Sequence, residues 1–472
     1  MIITNSIVLF AAVAQVYGAT INKRYSYAPQ FSPPFPPMAK PTGVVTSYNP
    51  GPYDTSSTLS TTPLSGFPEP WSKPDTNHPE VQAVYSKLDL SKIPKAPVRK
   101  QTSDGSWVSN SDGASDPYCW WSSTNCVVPK AALPPDIYTC PNKGDWGLNY
   151  DDGPFNRYTD SNAAVENKYA EPALYNFLAQ NNLHSTLFYI GSNVATYPAA
   201  AQRGLNDGHQ LCVHTWSHPP LTTQTNIQIV AELYWTLKAI KAATGVTSRC
   251  FRPPQGDVDD RVRSIAWQMG MRTVLWDRDS EDWNLPALGS GSLSPAVVDS
   301  YFSNWINAYK SGKDTAGHIV LEHELNHATV NMSMFWLPKL TKTFNVIPAL
   351  SCNGITKDIY WEDFEYPAYG ADGSTTTKAT PTATSTTTTT TKTTTTKTTT
   401  TQSTTTKKTT TTTTKTTSKT TTKTTTTKAP TSTSAKCTAG VSGQKQGNGD
   451  SGYCCTSSDD CIETCRSGVC GL

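Results

Sequence analysis

Residues 210–218 read QLCVHTWSH, an apolar strand-like run that closes on two histidines four residues apart, His214 and His218. Neutral imidazoles are ligands that Zn²⁺ and similar divalent ions accept. Upstream, NYDDGP (149–154) ends a second apolar run on adjacent carboxylates, Asp151 and Asp152. Successive side chains on extended backbone point apart, so one carboxylate of such a pair reaches a metal while the other stays free to take a proton from water. Two imidazoles, one carboxylate and a neighbouring base make a hydrolytic metal site, because three protein ligands leave coordination positions open for water and substrate. Taken singly, an HxxxH pair reads as two solvated or capping histidines and DDGP as a turn. Their order along the chain gives them meaning.

Working outward, seven apolar runs predict strands at 147–150, 185–191, 210–215, 249–254, 272–277, 318–324 and 345–350. Helical spacing lies between several of them: Tyr169, Ala173 and Phe177; Ile227, Val230, Tyr234, Leu237 and Ile240; Val298, Phe302, Trp305 and Tyr309. Strands alternating with helices predict an α/β fold with a parallel sheet, and seven repeats fit a distorted (β/α)7 TIM-like barrel. FRPPQGD (251–257), WDRDSEDW (276–283) and HIVLEHE (318–324) each begin in or just after such a run. All five motifs then fall at the carboxyl ends of strands, where barrel enzymes carry their chemistry.

This ordered series resembles the carbohydrate esterase family 4 polysaccharide deacetylases, the NodB-like group, and within it the fungal chitin deacetylases, over residues 137–352. The resemblance implies Asp151 as catalytic base and Asp152, His214 and His218 as a metal triad, with Zn²⁺ the expected ion and Co²⁺ the alternative. It further implies that Arg252 keeps the base ionised and oriented, that His323 is the general acid, and that Asp282 tunes that histidine. Trp283 and Leu321 are implied to wall the acetyl-methyl pocket, and a backbone N–H near Gln255 to bind the oxyanion. From the residues themselves, Arg252 ahead of Pro253 and Pro254 has a restricted backbone that suits a fixed carboxylate partner. His323 alone reads as a core histidine, Trp283 as core, Asp277 and Asp279 as caps or solvated acids, and His327 as structural. Two positions depart from the pattern. Asn149 stands where Thr is common, with little expected consequence; Gln255 stands where an aromatic is usual, which keeps the backbone donor but changes the groove beside it.

The rest of the chain sets the expected context. Residues 1–19 read as a signal peptide, 20–75 as a Pro/Ser/Thr-rich flexible segment, and 76–136 as an extension with a short helix in 78–91. The catalytic domain is expected over 137–373. Residues 374–434 hold 40 threonines and nine lysines with no acid, which reads as a disordered, O-glycosylated stalk. Without those lysines the net charge of +2 becomes −7, so the stalk either clings to anionic wall polymers or is merely solvated by its charge. Residues 435–472 carry six of the twelve cysteines and are expected to form a small disulfide-rich module. That cysteine content favours an oxidising compartment, hence a secreted or wall-associated protein. Cys119 with Cys126, and Cys140 with Cys352 tying the barrel's ends, are the preferred pairs, and Asn331 is the expected glycosylation site. No run approaches the ~18 apolar residues of a membrane span. The lysines of the Thr tract lack interleaved aromatics, which speaks against nucleic-acid binding. The expected function is deacetylation of chitin or another N-acetylglucosamine polymer by a monomer. The alternatives are a peptidoglycan or acetylxylan deacetylase, or a non-catalytic wall-binding protein.

Overall fold

In the computed structural model, residues 27–46, 59–102, 105–108, 115–288, 290–364 and 366 are described, together with short strands at 368–369, 375–376, 464–466 and 469–471. The expected signal peptide lies outside the described residues, as do the stalk and Cys-rich module apart from those strands.

Seven of eight strands overlap the seven predicted runs, and β6 lies just past the run at 272–277: β1 Asp145–Asp151, β2 Thr186–Tyr189, β3 Gln210–Val213, β4 Cys250–Phe251, β5 Arg272–Thr273, β6 Arg278–Asp279, β7 Val320–Leu321 and β8 Asn345–Pro348. Six of them form a parallel sheet in the order β5-β4-β3-β2-β1-β8. β6 continues the extended segment that begins at β5 and pairs in parallel with β7. The opposite edge of β1 bonds to the segment around β7: Gly147 N–H donates to the His318 carbonyl (2.8 Å) and Glu324 N–H to the Asp151 carbonyl (3.0 Å). Every residue of β1 is buried, as befits a parallel strand covered on both faces.

The principal helices are α1 Pro79–Tyr85, α2 Ala173–Gln180, α3 Asn226–Thr244, α4 Asp260–Gln268, α5 Pro295–Lys310 and α6 His327–Leu340. Helix α3 opens on a Thr225/Gln228 capping box and ends at Gly245, whose positive φ of 82° suits a residue without Cβ. It is buried almost all round because the N-terminal extension covers its outer side. Lys238 of α3 pairs with Glu80 of α1 (2.7 Å), and Phe35 stacks on Tyr234. The expectation of flexibility over 20–75 therefore fails for its described part. Phe31 N–H donates to the Gln268 carbonyl, Leu64 N–H to the Ala195 carbonyl, and Phe67 stacks on Trp216. Apolar rings on an irregular backbone dock the segment without any secondary-structure period.

Disulfides Cys119–Cys126 and Cys140–Cys352 are present as expected, and Cys212–Cys250, which sequence left unassigned, links neighbouring strands β3 and β4. Asn331, the expected glycosylation site, sits within α6 and is 9% exposed.

Candidate active site

The carboxyl ends of the parallel strands deliver the side chains singled out in the sequence. Asp151 ends β1, and Asp152 follows it in the left-handed region (φ 72°). His214 follows β3, and the turn to His218 passes through Thr215 (φ 68°) before His218 itself (φ 59°). Such backbone at non-glycine residues costs about 1–3 kcal/mol each and persists only where its surroundings hold it. Glu232 of α3 does that holding. Its carboxylate accepts from the Trp216 and Ser217 N–H groups (2.9 and 2.8 Å) and from the Ser217 hydroxyl (2.6 Å).

The Nε2 atoms of His214 and His218 lie 3.4 and 3.3 Å from Asp152 Oδ1, and one ligand atom from each of the three residues lies within 4.8 Å of the others. His214 Nδ1 is 2.8 Å from the Arg252 carbonyl. A carbonyl only accepts, so Nδ1 carries the proton and Nε2 turns its lone pair toward the carboxylates. Asp152 Oδ1 is buried with no hydrogen-bond partner. Two imidazole nitrogens and an unpartnered buried carboxylate oxygen gathered this closely are a donor set that fits a divalent metal. Burial opposes the charged forms here, yet His218 and His214 hold the Asp152 carboxyl well below the usual range, and Asp152 in turn raises His218.

Asp151 is held apart from this triad. Its Oδ1 accepts from Arg252 Nη1 (2.6 Å), while its Oδ2 lies 3.6 Å from His214 Nε2. Arg252 is fully buried, donates to the Leu275 carbonyl (3.0 Å), and lies 4.0 Å over the Phe188 ring. Its Nη1 also donates to Asn149 Oδ1 (2.5 Å), and Asn149 itself donates to the Gly147 and Val320 carbonyls. The expectation that Asn149 matters little is thus corrected, since it fixes the guanidinium that fixes Asp151.

Two residues past β7, His323 Nδ1 lies 2.7 Å from Asp282 Oδ1 and its backbone N–H donates to Oδ2 (2.9 Å). Burial alone would lower this histidine, but the Asp282 carboxylate, with Asp152 and Asp151 beyond it, pushes it up to about 10. It is therefore a cation at neutral pH.

Asp151, Asp152, His214, His218 and His323 face one cleft of ≈ 570 Å³, which Gln255, Trp283 and Leu321 also line. Trp283 is 49% exposed, so it is no core residue. Gln255 adopts the left-handed conformation (φ 57°) within the turn after β4. Trp121, Trp276 and Leu325, none of them singled out in the sequence, complete the lining together with Asp279. Asp279 is a correction to the solvated-acid reading: burial raises its carboxyl to about 6. Asp277 instead ties His318 (2.5 Å) and the Ile319 N–H (2.9 Å), and His327 pairs with Glu166 (2.7 Å) in the structural role expected of it. Trp121 was invisible locally because it arrives from a disulfide loop ahead of β1, with no periodicity to announce it.

A family model described as polysaccharide deacetylase matches residues 139–274. A chitin deacetylase of Amylomyces rouxii is 39% identical over 322 residues, covering 66% of this chain and 72% of that one. Chitin deacetylase 2 of Cryptococcus neoformans var. grubii is 37% identical over 302 residues, covering 62% of this chain and 63% of that relative, just under two thirds of its length. The solved chitin deacetylase of the fungal pathogen Colletotrichum lindemuthianum aligns with a TM-score of 0.39 at 22% identity, over 46% of this chain and 90% of its own. The chain belongs to the polysaccharide deacetylase family.

Proposed function

We propose that the chain is a secreted, metal-dependent N-deacetylase that hydrolyses the N-acetyl groups of chitin and chito-oligosaccharides to acetate and glucosamine units. One observation carries this reading: Asp152, His214 and His218 converge within 4.8 Å, in the same cleft as Arg252-bound Asp151 and Asp282-bound His323. The similarity to curated chitin deacetylases supports the choice of polymer.

Asp152, His214 and His218 would hold the ion, Zn²⁺ or alternatively Co²⁺. Bound there, a divalent ion would supply Lewis-acid polarisation of the acetamide carbonyl and lower the pKa of water at the site. Asp151 takes the proton from the attacking water, and Arg252 keeps that carboxylate aimed. The oxyanion of the tetrahedral centre accepts from a backbone N–H near Gln255. His323, charged at neutral pH, gives its proton to the departing amine nitrogen as the C–N bond breaks, and Asp282 holds the ring for that transfer. Trp283 and Leu321 enclose the acetyl methyl.

The sheet is read as a distorted (β/α)7 barrel, supported by the β6–β7 pairing and by the bonds from β1 to the segment around β7. Its domain spans 137–373, preceded by a 1–19 signal peptide and the extension to 136. A glycosylated stalk (374–434) and a Cys-rich module (435–472) follow, in a monomer that works on cell-wall polysaccharide. Among the described residues no helix is long and apolar enough to cross a membrane. The test is acetate release from N-acetylchito-oligosaccharides against acetylated xylan. Release from the chito-oligomers is expected, and release from xylan alone would overturn the choice of substrate.

A further inference from the structure

Trp120 and Trp121 are neighbours with different fates. Trp120 is buried, its Nε1 donating to Asp257 Oδ1 (2.9 Å) and Arg99 lying 3.7 Å over its ring. Trp121 is only half-buried and lines the catalytic cleft. We infer that Trp121, carried on the Cys119–Cys126 loop outside the catalytic domain, is a stacking platform for a further pyranose ring of the substrate chain. The inference rests on the deacetylase reading for its substrate class.

Three sets of contacts bolt the loop in place. Trp121 N–H donates to the Val258 carbonyl (3.0 Å), and the Ser122 hydroxyl to Asp257 Oδ1 (2.9 Å). Arg263 donates to the carbonyls at both ends of the loop, Cys119 (2.5 Å) and Cys126 (2.9 Å). The other oxygen of Asp257 accepts from the N–H and hydroxyl of Thr222 (2.7 Å each), four residues past His218. One buried carboxylate therefore joins the loop, the turn that carries Gln255 and the segment that carries the metal-binding histidines. Gly256 makes room for the ring, since a Cβ there would stand 2.3 Å from Trp121 Cζ3. Trp276 meets it edge-on, with centroids 4.7 Å apart and planes at 63°.

Such restraint fixes an aromatic ring beside the reacting groups without burying it. An aromatic ring offers an apolar face that packs against the C–H face of a sugar, and few rotatable bonds are lost in doing so. Trp121, Trp276 and Gln255 bring no charge to this part of the lining, which suits a neutral N-acetylglucosamine unit. The loop thereby makes the segment ahead of the catalytic domain a part of the substrate site, one that sets affinity for oligomers and leaves the chemical step alone.

The experiment uses the full chain as wild type, Trp121→Ala, Trp121→Leu and Trp121→Phe. It measures kcat and KM for acetate release from chitopentaose, and chitopentaose affinity by calorimetry on chelator-treated protein. Trp121→Ala and Trp121→Leu should each raise KM and Kd about 10-fold, which is about 1.4 kcal/mol, with kcat within about twofold of wild type. Trp121→Phe should recover most of the loss. Leu keeps apolar bulk over Gly256, so it remains informative if the Ala variant does not fold. Unchanged KM and Kd in the Leu variant would overturn the inference, as would a fall in kcat shared equally by Leu and Phe. A wild type that binds chitopentaose through Trp121 but releases no acetate would instead overturn the deacetylase reading and leave this inference standing.

Discussion

Replacing Asp282 by Asn removes the charge that raises His323 while keeping the shape of the site. In the native protein His323 stands at about 10, against an ordinary value of 6.5, with Asp282 the leading cause that raises it. Without that carboxylate burial lowers the ring and only the more distant Asp152 and Asp151 still raise it, so the ordinary 6.5 serves as the reference for a ring that has lost its support. At pH 8 a group at 10 is about 99% protonated, and one at 6.5 about 3%. If His323 must be the acid, kcat/KM for the Asn variant should be about 30-fold below wild type at pH 8, about 4-fold below at pH 7, and close to it at pH 6. A bound cation lowers both values, so the separation of the two alkaline limbs is the diagnostic quantity. The assay is acetate release from a chito-oligomer across pH 5.5 to 9.5. Parallel profiles, with the variant slower by one constant factor at every pH, would refute the claim that Asp282 acts by tuning His323.

Other outcomes follow from the same structure. Arg252→Met leaves the Asp151 carboxylate buried without its partner, so chemical denaturation should show a loss of about 3–5 kcal/mol. The same variant should lose roughly 100-fold or more of its acetate release, because the base loses the guanidinium that aims it. Replacing both Cys140 and Cys352 by Ser opens a loop of 212 residues, for which chain entropy predicts a loss of about 5 kcal/mol in the unfolding free energy. Catalysis at low temperature should persist in that variant, because the bridge lies outside the cleft lining.

What could be read in the sequence divides along physical lines. Parallel strands buried on both faces appear as unbroken apolar runs, so β1, β2 and β3 stood out, and their carboxyl ends located Asp151 and His214. Helix α4 did not stand out. It reads DRVRSIAWQ, and its Arg261 and Arg263 are buried among Gln224, Thr222 and Asp136, so its inner face looks polar. The docking of the N-terminal segment was equally hidden, because Phe35 and Phe67 sit among prolines and find Tyr234 and Trp216 more than 140 residues away. At the site, metal-ligand spacing is a strong local signal, whereas Asn149, Glu232 and Trp121 act by supporting or facing residues distant in sequence. Those partnerships exist only once the chain has folded.

Under the proposed function adjacent carboxylates divide the labour: Asp152 with His214 and His218 holds the metal, and Asp151 moves the proton. Bound metal and acetate release, measured side by side on purified wild type, Asp151→Asn, His214→Ala and His218→Ala, test it most directly. Asp151→Asn should keep the wild-type metal content and lose acetate release, while either histidine variant should lose both. Equal loss of metal from Asp151→Asn, or histidine variants that keep their metal, would contradict it.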